Sequence, residues 1–259
     1  MIRSLYTSGW SMIADTKRID VISNNLANAN TNGYKKDLAI NQSFEEMITK
    51  RINDYNYGFN NSNNIGNMKL GRDEGEIFTY FNQGNLINTG KNLNFAISNS
   101  ENSFFNVGKI DGDGNLTEKY SRDGSFVLDV NGMITTSQGY FLLGDNGPIT
   151  VEGDNIKVTK DGSIYENENL IDKIKITTFE NKDNLFKIGN NLIDVKGDFN
   201  NVPFDGELIQ GSLEESNVNT VDEMVEMINV LRSYEANQKL IQYEDNTLQK
   251  AVNEIGILR

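Results

Sequence analysis

YSRDGSFVLDVNGMITTSQGYFLLGDNGPI, residues 120–149, is the stretch whose reading decides the fold. Phe126, Leu128 and Val130 alternate in it with Ser125, Val127 and Asp129, a period of two that belongs to a strand. Asp123-Gly124, Asn131-Gly132 and Asn146-Gly147 punctuate the run, and such dipeptides supply the positive φ that tight hairpin turns need. The same grammar continues outward: Asp113-Gly114 precedes the stretch, Asp161-Gly162 follows it, and Ile174 and Ile176 alternate with Lys173 and Lys175. An antiparallel β-domain from about Gly90 to Asn201 is predicted, its strands burying one face and showing the other to water. RDGSF at 122–126 echoes KDGSI at 160–164, which reads as two similar hairpins.

Outside this region the period becomes helical. Near the start Leu5, Met12, Ile19 and Leu26 recur every seven residues, flanked by Ile2, Ile13 and Ile22, so they share one stripe of a helix. The interleaved Gly9, Thr16 and Ser23 let a partner approach closely but add too little to hold a dimer. Asn24, Asn25 and Asn28 then lower helix propensity, and Gly33 is positioned as a left-handed stop. Toward the other end Met224, Met227, Leu231, Tyr234, Gln238, Ile241, Asp245, Leu248, Val252 and Ile255 alternate by threes and fours through five heptads,. Thr220 and Glu223 have capping-box spacing, and Glu214, Glu215, Asp222, Glu223 and Glu226 place acid at the positive helix end. Glu235 and Lys239 form an (i, i+4) pair on the outside. Gln238 and Asp245 in the seam imply either register control or a wet interface.

The predicted class is therefore α+β, with terminal helices forming a coiled-coil-like assembly region around a central antiparallel β-domain. The segments are an N-terminal assembly helix and signature at 1–36, an extended Asn-rich region at 37–89, the β-domain at 90–205 and the C-terminal assembly helix at 206–259. INDYNYGFNNSNNIGN at 52–67 reads as a linker or a long surface loop.

Composition narrows the function. Twenty-four Lys and Arg stand against 37 Asp and Glu, a net charge of -13, which repels a phosphate backbone and argues against a nucleic-acid partner. The Lys35-Lys36 doublet reads as part of a solvated loop. There is no Cys and no His, which removes thiol nucleophiles, imidazole bases and the usual transition-metal ligands. DGDGN at 111–115 spaces its acids like a calcium loop, but Leu116 falls where glycine is required and Arg122 where the bidentate Glu should be, so it reads as a turn. No Walker loop, dinucleotide fingerprint or nucleophile elbow is present, and no carboxylate pair stands out. The expectation is a chain without catalysis, small-molecule substrate, cofactor or metal. MIRSLYTSGWSMIADTK lacks the apolar core of a cleavable signal, and no apolar run approaches the ~20 residues of a membrane helix. Tyr6, Trp10 and Tyr34 lie among interface-type apolar residues and read as subunit packing.

With both seams and the β-domain in view, the residues resemble a known family. MIRSLYTSGW at 1–10 and DVISNNLANANTNGYKK at 20–36 resemble the N-terminal signature of the flagellar basal-body rod and hook family, above all in the run from Ser23 to Asn28 followed by Thr31 and Gly33. QGSLEESNVNTVDEMVEMINVLRSYEANQKLIQ at 210–242 resembles its C-terminal signature, through Ser216, Asn217 and Val218 and then Arg232, Tyr234, Glu235, Ala236 and Asn237. NQGNLINTGKNLNFAI at 82–97 and the opening stretch look like the β-domain these proteins share. The length is similar to that of the distal rod member. Two features depart from the pattern: SNSENS at 98–103 stands where glycines usually precede the Phe104-Phe105 pair, and Trp10 and Ser11 stand where small residues are usual.

The resemblance implies a structural axial subunit of the basal-body rod, self-assembling into a helical tube that transmits torque from motor to hook. It further implies a site outside the cytoplasmic membrane, reached through the flagellar type III export apparatus without a cleavable signal peptide. Implied partners are further copies, other rod proteins, the hook protein, that export apparatus and ring proteins around the rod. Head-to-tail contacts that do not close generate such a tube, and terminal helices can order on incorporation. Leu5, Met12, Ile19, Met224, Met227, Leu231, Tyr234, Ile241, Leu248, Val252 and Ile255 are the expected assembly contacts from the seams. Asn24, Asn25, Leu26, Ala27, Asn28, Thr31 and Gly33 are carried over from the signature.

Overall fold

The structure, a computed structural model, describes residues 2–50, 64–69, 71–110, 116–153, 156–189, 191–197 and 199–255. DGDGN at 111–115 and the larger part of the Asn-rich stretch, residues 52–63, lie outside these. The chain divides into two compact units, one of residues 1–26, 37–78 and 220–259 and the other of residues 27–36 and 79–219.

The first unit is built on two helices, α1 at Ile2–Ala27 and α2 at Thr220–Lys250, with a single π-helical turn at Ala251–Ile255. Asn25 meets Glu223, Arg18 meets Glu226, and Asp15 meets Ser233 and Asn237. Position falls on one helix as it rises on the other, so the pair is antiparallel. Two ribbons complete the unit: Asp37–Ser43 with Arg72–Thr79, and Met47–Lys50 with Asn64–Met68 in a register that sets Met47 opposite Met68. Much of the expected extended region is thus strand, because Asp37–Ser43 finds its partner some thirty residues on, where a local reading of composition has no reach. Trp10 stands edge-on to Phe44 with ring centroids 5.0 Å apart. Gly71 leaves them room, since a Cβ there would lie 3.2 Å from the Phe44 ring.

Helix α1 runs through Asn24 and Asn25 to Ala27, so these asparagines do not end it. Asn25 offsets its poor propensity with tertiary hydrogen bonds. Gly33 is left-handed, with φ +67, but lies in the loop six residues beyond the helix.

In the second unit the main sheet runs Leu185–Gly189, Leu192–Val195, Leu116–Ser121, Ser103–Ile110, Phe141–Gly144, Ile134–Thr136, Phe126–Leu128, with Ile176–Phe179 also on Ser103–Ile110. Neighbours are antiparallel throughout, with Phe105 opposite Ser121 and Ile176 opposite Phe105. Ser103–Ile110 is buried on both faces, contrary to the expectation of one wet side. Phe105 and Val107 enter one core with Phe95, Phe126, Ile134 and Leu142, while Phe104 enters another with Phe81, Tyr120, Phe179 and Ile193. The Phe104-Phe105 pair thus anchors both cores, as consecutive side chains on a strand must point to opposite faces.

Two further sequence readings are corrected. Val130 is fully exposed, because its strand stops at Leu128 and a turn follows, closed by Asp129 N donating to Met133 O and Gly132 N to Asp129 O. KDGSI does begin a hairpin strand at Ser163–Glu166, opposite Ile156–Val158. RDGSF instead carries the chain between the non-adjacent strands Leu116–Ser121 and Phe126–Leu128. Gly124 passes so close to Phe95 there that a Cβ would lie 1.7 Å from its carbonyl oxygen.

Candidate assembly surface and a buried charge cluster

In the first unit α1 buries Ser8, Ala14, Asp15, Ile22 and Asn25. Ser8, Asp15 and Ile22 are themselves seven apart, so the buried stripe neighbours the predicted one. Leu5 is exposed, and Met12, Ile19 and Leu26 are half-buried. Asp15 and Asn25 go inside because they make hydrogen bonds there. Asp15 forms an ion pair with Arg72 and accepts from Ser233 Oγ at 2.9 Å.

Helix α2 resolves the predicted seam into two faces. Glu223 and Val230 are buried, and Met227, Tyr234 and Ile241, half-buried, fall on the same side at 100° per residue,. Met224 and Leu231 lie on the outer side and are exposed, together with Val221, Val225 and Ile228. Leu248 and Val252 are also exposed; the side chain of Ile255 is outside the described residues. Glu223 is spent on Asn25 rather than standing at a solvated helix end.

The other signature residues meet varied fates. Asn24 and Ala27 are exposed. In the second unit Thr31 Oγ1 donates to Asn28 Oδ1 at 3.2 Å, and buried Gly33 donates its N–H to Glu214 O at 2.8 Å.

Also in the second unit is a charge cluster that sequence reading missed. Lys35 Nζ lies 2.5 Å from Glu214 Oε1 and Arg122 Nε 2.6 Å from Glu214 Oε2, with all three side chains only 1% exposed. Lys35 is therefore not in a solvated loop, and Glu214 belongs to the strand Ser212–Glu214 rather than to a helix end. Lys35 also donates to Asn82 O, and Gly84 N–H donates to Glu214 Oε1. Arg122 donates to the carbonyls of Ser100 and Ser103, which gives SNSENS its role: Asn99, at φ 60, turns the chain so that both carbonyls face the guanidinium,. Burial, helped by the Arg122 charge and resisted by Glu214, pushes the Lys35 ammonium down to about 8. Burial pushes the Glu214 carboxyl up, but Arg122 and Lys35 outweigh it and hold the group below its ordinary value.

Asn217 completes the stitch. Its Oδ1 accepts from Lys36 N at 2.7 Å, and its Nδ2 donates to Tyr80 O and Asn82 O. Both terminal signatures thus meet inside the β unit. A faint signal existed, a basic doublet in one signature and an acid in the other, but nothing local distinguishes a buried lysine from a wet one.

Long terminal helices that expose apolar residues, and a β unit closed by segments from both chain ends, define the class: an α+β protein with terminal helices and a central antiparallel β-domain. Residues 5–35 match the family described as "Flagella basal body rod protein", 100–166 the "Flagellar hook protein FlgE/F/G D1 domain" and 209–254 the "Flagellar basal body rod FlgEFG protein C-terminal". The chain is 33% identical over 275 residues to the flagellar hook-basal body complex protein FlhO of Bacillus subtilis, covering 99% of each. It is 35% identical to the basal-body rod protein FlgG of the same bacterium, covering 98% of this chain and 99% of that one. Against FlgG of Borreliella burgdorferi it is 34% identical, covering 98% of each. The chain belongs to the flagellar basal-body rod protein family, and the resemblance read from its signatures holds.

Proposed function

We propose that the chain serves the rod as an axial building block that carries torque through packed contacts and performs no chemistry. The observation that carries this reading is the outer face of α2, where Val221, Met224, Val225, Ile228 and Leu231 form a contiguous apolar stripe open to water. Single exposed apolar residues are ordinary, whereas a stripe over three helical turns marks a surface to be covered. Its occupants are helices of further copies and of neighbouring rod and hook proteins, packed in coiled-coil fashion. The chain reaches its place outside the cytoplasmic membrane through the flagellar export apparatus. Ring proteins around the rod are further neighbours.

Complementation of a motility strain lacking this chain tests the reading. A Met224→Asp/Leu231→Asp variant should be exported and fold yet leave the strain without rods and non-motile. Normal rods from that variant would refute the reading, as would hydrolysis of purified wall polymer by the wild-type chain.

A further inference from the structure

Assembly does not explain the Lys35–Glu214–Arg122 cluster, because none of its side chains reaches the surface. Its members are far apart in chain order, and together they bury two cations against one anion. Other acceptors for the cations are backbone carbonyls: Asn82 for Lys35, Ser100 and Ser103 for Arg122. The remaining charged groups facing Lys35 do not replace Glu214. The Lys187 ammonium donates to the Lys35 carbonyl and adds positive charge, and Glu101 acts on Lys35 only through a weaker long-range attraction. Among the described residues Glu214 alone forms ion pairs with both cations. Removing one partner of a buried ion pair leaves an uncompensated charge, which is strongly destabilising.

The backbone around Glu214 is fitted just as closely. A Cβ on Gly33 would lie 2.5 Å from the Arg122 carbonyl, and one on Gly84 would lie 2.1 Å from Glu215 O. Residues 27–36 and 79–89 are therefore fitted closely to the strand Ser212–Glu214, which pairs with Leu86–Asn88. A chain is made from its N-terminus, so both cations exist long before the anion.

We propose that Glu214 is a charge latch: the β unit stays open at residues 27–36 and 79–89 until the strand Ser212–Glu214 arrives and neutralises Lys35 and Arg122. A chain whose last quarter has not emerged is thereby kept unclosed at both signatures.

The test uses the full chain and hydrogen exchange of peptides covering residues 82–89 and 212–217. Glu214→Gln should lower protection on the order of 100-fold, the scale of a broken buried pair. Lys35→Met/Glu214→Gln, which restores the original net charge of the cluster, should recover most of that loss. Protection of Glu214→Gln close to wild type overturns the latch. So does a double variant as open as the single one, and this comparison still decides if Glu214→Gln does not fold. Urea midpoints of the single variant at about pH 6 and about pH 9 give a second reading. The defect should shrink at the higher pH as Lys35 sheds its proton; a constant defect would mean lost shape rather than lost charge, and would also overturn the proposal.

Discussion

The side-chain amide of Asn25 on α1 donates to Glu223 Oε2 on α2 at 3.1 Å and to Asp37 O at 2.7 Å, while Asn25 Oδ1 accepts from Asp37 N at 3.0 Å. One buried side chain thus joins both helices and the start of the first strand. Asn25→Ala strips the buried Glu223 carboxylate of this donor and leaves two backbone groups of Asp37 without their partner. The expected cost is about 2–4 kcal/mol, read from urea unfolding. Asn25→Asp should be worse, because it sets two buried carboxylates against each other. An alanine variant as stable as wild type would show that the signature asparagine works only between subunits.

Glycine is needed at position 33 for two reasons, its φ of +67 and the Arg122 backbone against it. Gly139, at φ +81, has open space where its side chain would be. Gly33→Ala should therefore cost at least about 2 kcal/mol and Gly139→Ala about 1 kcal/mol, the strain of the left-handed backbone alone. Thermal melting of the two variants separates crowding from conformation.

The two faces of α2 should respond differently to charge. Leu231→Asp, on the outer face, should leave monomer stability within about 0.5 kcal/mol of wild type while abolishing rods. Ile241→Asp, half-buried on the inner side, should block assembly and also loosen α2, leaving the β unit folded. Hydrogen exchange of residues 220–250 in both variants makes the comparison, and Ile241→Asp subunits found in normal rods would contradict it.

The charge cluster makes stability depend on pH at both ends of the scale. Unfolded, Lys35 holds its proton up to 10.5; folded, it holds it only to about 8. Between these values the unfolded chain binds more protons, so stability should rise with pH across that window. Glu214 acts in the same direction at the acid end, where the unfolded chain again binds more protons. Its folded pKa lies below 4.5, so its contribution is present above that value and is lost as pH falls through the folded one. Urea midpoints from acid to alkaline pH should show both limbs, and Lys35→Met should remove the alkaline one.

Periodicity revealed the elements whose partners are implied by their own pattern: two terminal helices and the strands between Gly90 and Asn201. The buried stripe of α1 lies beside the one that periodicity marked, because Asp15 and Asn25 are inside for hydrogen bonds that hydrophobic spacing does not register. The two-sided burial of Ser103–Ile110 escaped for a similar reason: SFFNVG alternates in no simple way, since each face has its own core. Lys35, Arg122 and Glu214 were unreadable as a group because burial of a charge depends on partners distant in sequence. The family signatures located the right segments, but the structure gives several of their residues intramolecular work.

The bond between Lys36 N and Asn217 Oδ1 joins positions 181 residues apart, and α1 ends at Ala27 while α2 begins at Thr220. Once the β unit is folded, this bond shortens the loop between the chain ends from 181 residues to a few, so each helix is presented to the other at an effective concentration on the order of millimolar,. Helix pairing becomes a short-range event instead of the closure of a long loop. The β unit thus acts as a tether for the ends of its own chain, and any change that frays its stitching should dilute the helices from one another without touching either one.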